Sequence, residues 1–144
     1  MIPIKHLFHI NSPVEKVFEA LTNSDMLSNW YTSVVNGEFK LGETIIFEFV
    51  NFATFKVKVI SLVENESIHL EFIESDYPVV GHIMKYDLDK NDDKTRVRYT
   101  YEGFSEIDDS YANMNYSSAK YLESLRQFCQ TGIGEGFGTK NYRS

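Results

Sequence analysis

A single cysteine, Cys129, occurs in 144 residues, so no disulfide can close within the chain. No pair of thiols or histidines has the spacing of a zinc or redox motif, which leaves no metal or cofactor to expect. His6, His9, His69 and His82 are scattered over different strands and parities. The Gly-x-Ser-x-Gly elbow of a hydrolase nucleophile is missing. Basic residues are in the minority, 14 Lys and Arg against 21 Asp and Glu, giving a net charge of -7 and a pI near 5.0. That balance excludes a nucleic-acid backbone as partner, which needs a basic patch. No apolar run approaches the roughly 18 residues of a spanning helix. The opening MIPIKHLFHINSP lacks the basic lead, hydrophobic core and cleavage site of a secretory signal. These absences predict a cytoplasmic protein that does not insert into a membrane.

Aromatic side chains are abundant, with 11 Phe and 9 Tyr. Rings suit the pleated face of a curved sheet or the wall of a pocket. Ile4–Ile10 alternates as a strand, with His6 on the parity of Ile4, Phe8 and Ile10. Ser12-Pro13, followed by Glu15, has the form of a capping box and predicts a helix through Val14, Val17, Phe18 and Leu21. A second short helix, capped by Ser24, runs through Met26, Leu27 and Trp30. From Gly37 the period is two. Strands follow over Thr44–Asn51, Phe55–Val63, Ser67–Ile73, Val79–Leu88 and Lys94–Gly103, separated by turn-rich breaks. Each has one dry face, and in the fourth of these it carries Val80, His82, Met84, Tyr86 and Leu88.

The longest helical run is Ser110–Thr131, with capping oxygens from Asp108, Asp109 and Ser110 before it and Gly132 after it. Tyr111, Asn115, Ser118, Leu122, Leu125 and Cys129 recur every three or four residues and predict its inner face. Asn113, Ser117, Lys120, Glu123 and Gln127 predict the water-facing side. Cys129 falls on the inner face and reads as a packed thiol rather than a nucleophile. The expected architecture is α+β: a curved antiparallel sheet of about six or seven strands wrapped around the C-terminal helix, with two short helices after the first strand. Residues 1–131 form this single domain. Residues 132–144, with singly spaced glycines, read as a loosely docked tail able to fold over a neighbouring subunit of a homodimer.

Ile10–Tyr31 (INSPVEKVFEALTNSDMLSNWY) carries a resemblance in its Ser12-Pro13 start, its Val17-Phe18 pair, Ala20-Leu21-Thr22, and Trp30-Tyr31 at the end. It resembles the opening of the SRPBCC (START-like, helix-grip) superfamily. Within that, it is most similar to the branch related to activators of the ninety-kilodalton heat-shock protein's ATPase. Phe39-Lys40-Leu41-Gly42 is similar to the family's strand-opening turn, and Glu102-Gly103-Phe104 to its Gly-Phe before the last helix. The likeness extends to Gly132. Glu43 stands where a second glycine is usual, and Asn115-Tyr116-Ser117-Ser118 where Gly-Trp often precedes the hydrophobic half of the helix.

The resemblance implies a cavity between sheet and helix for a small hydrophobic, aromatic or amphipathic molecule. Candidate ligand-binding residues are Phe47, Phe49 and Met84, together with the polar groups at dry positions: His6, His82, Tyr86, Tyr99, Tyr101, Asn115 and Ser118. Buried polar groups must find partners in one another, in water or in a ligand. Two other readings stay open. One is an interaction module for a chaperone or other partner, with a place in stress response. The other is a cavity enzyme of cyclase, aromatase or hydrolase type, with a His–Tyr pair moving a proton.

Overall fold

The computed structural model describes residues 1–143. The alternating segments pair into one antiparallel sheet of seven strands: β1 (Ile4–Ile10), β2 (Val34–Asn36), β3 (Thr44–Phe49), β4 (Ala53–Val63), β5 (Ser67–Ser75), β6 (Ile83–Asn91) and β7 (Lys94–Glu102). Their order in space is β1-β7-β6-β5-β4-β3-β2, so the first strand returns beside the last. Register between β4 and β5 slips at Lys56/Val57 and again at Val59/Ser61. Such irregularities bend and twist the strand that carries them. The α+β helix-grip architecture is as expected, with helices α1 (Val14–Thr22), α2 (Ser24–Trp30) and the long α3 (Asp109–Thr131).

Helix ends depart from the expectation at two places. The cap position of α1 is Pro13, whose carbonyl accepts from Val17 N at 3.1 Å. Ser12 therefore lies one residue too early to cap, and its buried Oγ has no hydrogen-bond partner. For α2 the cap is Asn23, whose Oδ1 accepts from Met26 N at 3.0 Å, while Ser24 Oγ donates to Gly37 O. Asp108 caps α3 by accepting from Tyr111 N, and Gly132 at φ 83° closes it.

Two strand readings also shift. Val34–Asn36 pairs with β3, a short edge strand that three residues of sequence do not announce. β6 begins at Ile83, because Val79–Gly81 forms a turn with Gly81 at φ 91°; Val80 consequently points to solvent, 61% exposed.

Residues 132–143 are docked, contrary to the loose tail expected. Gly136 N donates to Asn29 O at 3.0 Å, Phe137 N to Tyr31 O at 2.9 Å, and Glu135 N to Ser124 Oγ at 2.6 Å. A Cβ on Gly134 or Gly136 would lie 2.8 or 2.7 Å from Asn29 O. The spaced glycines thus let one backbone lie directly on another. Thr32 and Phe137 form a parallel bridge that fixes this segment beside β2. No helix among the described residues is long and apolar enough to cross a membrane.

Candidate functional site: an aromatic cavity under the long helix

α3 lies nearest to β1, α1 and α2. Its C-terminal half fills the space beneath it with Leu122, Leu125 and Cys129, all buried. Burial pushes the Cys129 thiol up to about 12, which leaves a packed apolar group rather than a nucleophile. In the N-terminal half Ser118 is the one buried side chain, and with Ser117 at the rim beside it, it is too short to cross the same gap. What remains is a cavity of about 490 Å³, within the range of about 300–1,000 Å³ used for small molecules.

The sheet supplies its floor through Phe49, Phe55, Phe72, Met84, Tyr86, Tyr99 and Tyr101, and Tyr31 and Phe137 close one flank. Rings meet edge to face, Tyr31 with Phe49 at 5.4 Å, Phe49 with Phe55 at 5.6 Å and Phe55 with Phe72 at 5.7 Å. This is a favoured aromatic geometry that braces the walls.

The polar groups of the interior are chiefly phenols. Tyr99 Oη and Ser118 Oγ share a hydrogen bond of 3.1 Å. Tyr86 Oη has only Met84 Sδ, at 3.7 Å, a weak acceptor. Burial raises the pKa of Tyr31, Tyr86, Tyr99, Tyr101 and Tyr121 above the usual phenol range. At neutral pH the lining therefore offers O–H dipoles and ring faces, not phenolates.

Six of the ten expected ligand-binding residues line this cavity: Phe49, Met84, Tyr86, Tyr99, Tyr101 and Ser118. The other four lie elsewhere. Phe47 is buried behind Tyr31, edge to face at 5.1 Å. His6 Nε2 bonds Asn115 Oδ1 at 2.9 Å at the exposed edge where α3 meets β1. His82 stands behind Tyr101, its Nδ1 2.9 Å from the phenol oxygen. Desolvation lowers its pKa, and the ring shares a hydrogen bond with the phenol. Gly103 lies against that imidazole so closely that a Cβ would sit 2.2 Å from Cδ2, and Phe104 packs on its other side at 5.0 Å. The Gly-Phe pair is thus a seat for His82.

The inner face holds at Ser118, Leu122, Leu125 and Cys129, all buried, while Asn113, Ser117 and Lys120, expected in water, form the cavity's rim beside Met114 and Tyr121. A helical side chain leans toward the N-terminus of its own helix, so spacing alone misjudges which patch it covers. Tyr31, Phe137 and Tyr142 also belong to the lining and were not foreseen. For Tyr31 the signal was an aromatic beside the only tryptophan. For the tail it was the alternation of glycine with Phe137.

Comparison with known proteins places this geometry in a family. Residues 11–130 match the profile of the family described as activator of Hsp90 ATPase homolog 1-like protein. Among solved structures, the Aha1 dimer from Colwellia psychrerythraea is similar at 29% identity and a TM-score of 0.85, over 93% of this chain and 100% of that one. Protein SSP2350 from Staphylococcus saprophyticus matches at 16% identity and TM-score 0.79, covering 92% of this chain and 95% of its own. CalU16 from Micromonospora echinospora matches at 15% and 0.74, over 88% and 73%. The last two likenesses concern the fold alone. No curated protein matches the sequence. The profile spans nearly all of the sheet and α3, and the chain belongs to the activator of Hsp90 ATPase homolog 1-like family, on the helix-grip fold of the SRPBCC superfamily.

Proposed function

We propose that the protein binds a small hydrophobic or aromatic molecule in the cavity between the sheet and α3. The observation that carries this reading is a void of about 490 Å³ walled by rings and left open by short side chains on the helix. Hydrophobic surfaces facing an empty space forfeit the dispersion contacts that close packing provides, and an apolar guest restores them. The Tyr99–Ser118 pair and Tyr86 Oη offer the few polar contacts that orient such a guest. Native mass spectrometry of the purified protein tests the reading: a bound organic mass, released on activation, is the expected result. Protein free of any small molecule that also binds no added hydrophobic dye would sink it.

A second reading concerns partners. The 29% identity to the Aha1 dimer, over the whole of that chain, supports an association with an Hsp90-type chaperone and pairing of two copies of this chain. Sedimentation velocity and the ATPase rate of the chaperone with and without the protein test it. A monomer that leaves the rate unchanged would remove both parts.

A further inference from the structure

Among the residues lining the cavity one side chain is basic and none is acidic: Lys120, in a protein whose net charge is -7. No carboxylate among the described residues pairs with it; its Nζ donates to Tyr142 Oη at 2.8 Å and lies 4.5 Å from the centre of that ring. Lys120 also ends a polar line. Ser110, Asn113, Ser117 and Lys120 follow one another at intervals of three, four and three residues along α3, and all four line the cavity. At 1.5 Å per residue that line is about 15 Å long. None of the four is buried, so the line marks the wet rim, while Met114, Ser118 and Leu122 beside it face the ring-lined interior.

We infer that the ligand is an amphipathic anion, with its apolar body among the rings and its acidic head at Lys120 on the rim. The inference rests on the cavity-binding reading above and narrows its ligand class. A cation at the mouth of an apolar cavity strengthens a charge-assisted hydrogen bond to a carboxylate or sulfonate, because that site is poorer in water than the open surface. The polar line meets the wet edge of the same molecule. A neutral guest would leave the lining's basic group facing only the rings of Tyr121 and Tyr142 among the described residues.

Two dyes of one ring system separate the possibilities. 1-Anilinonaphthalene-8-sulfonate carries the anion, and N-phenyl-1-naphthylamine lacks it. Fluorescence titration should show the sulfonate binding more tightly. Lys120→Met should weaken it about tenfold and leave the neutral dye within about twofold. Lys120→Arg should restore the preference. Tyr142→Phe removes the hydrogen bond and keeps Lys120, so any loss of affinity it causes should be the same for both dyes. That control separates the charge from the fastening of the tail. Binding of both dyes with equal affinity, or a Lys120→Met protein that keeps its preference, would overturn the anion inference and leave the cavity reading standing. If neither dye binds the wild-type protein, both readings fall.

Discussion

Along the C-terminal half of α3, Leu122, Leu125 and Cys129 retain 4%, 0% and 5% of their surface. Along the N-terminal half Ser118 alone is buried, and short side chains face a void. The backbone is continuous and the sheet beneath is the same. Side-chain length decides whether the interface is packed or hollow. A packed core gains dispersion and burial from every neighbour. A hollow one gives these up locally and depends on its packed half to hold the frame. Stability and binding are therefore expected to separate along one helix, which mutations can check.

The largest effect should come from the packed half. Leu125→Ala removes a fully buried side chain and should cost about 2–5 kcal/mol, measured by urea unfolding. A cost under about 1 kcal/mol would mean that this half collapses easily and is not the anchor. Ser124→Ala follows. Its Oγ donates to Trp30 O at 2.8 Å and accepts from Glu135 N at 2.6 Å, so the change strands one buried and one half-buried backbone group. About 1–3 kcal/mol is expected, with faster amide exchange confined to residues 133–137. Exchange that stays slow there would show that the glycine contacts alone hold the tail.

In the hollow half, Ser117→Phe should change stability by less than about 0.5 kcal/mol. By occupying part of the void it should weaken binding of a neutral hydrophobic dye about tenfold. Unchanged dye binding would place the site elsewhere. The smallest effect concerns acid. Burial holds His82 below its ordinary value of 6.5, so the unfolded chain takes up the proton first as the pH falls. The stability from neutral His82 is full above pH 6.5 and declines as pH drops through 6.5 toward the folded value. Melting temperatures between pH 8 and pH 5 should fall less steeply for His82→Gln than for wild type, and parallel curves would count against a buried neutral imidazole.

Most of the frame was legible in the sequence because two-residue alternation and helix punctuation are local signals. Lys94–Glu102 alternates Thr95, Val97, Tyr99 and Tyr101 inward, and all four are buried. The failures were of other kinds. Val80 and His82 continue an alternation that the Gly81 turn interrupts, and a periodic pattern carries no mark of where pairing begins. Ser117 and Lys120 turn from the expected water face to the cavity's rim because a rotation of one residue is within the tolerance of helical spacing. Phe137 reaches the cavity through a contact spanning more than a hundred residues, to Tyr31, which no window of sequence contains, and Tyr142 packs on Phe137. Glycine content was read as looseness, although in Gly134 and Gly136 it is what permits close backbone contact.

Trp30, the only tryptophan, is 1% exposed, its indole N–H donating to Ala20 O and its carbonyl held by Ser124. Its ring lies 5.5 Å from Tyr31, which lines the cavity, and Gly134 rests against its backbone. The molecule thus carries its one indole fluorophore at the junction of helix, tail and cavity. Phenols of the lining are close enough to pass excitation energy to it. Quenching or a red shift of that single emission reports release of the tail, and a change in tyrosine-sensitised emission reports filling of the void, with no label attached.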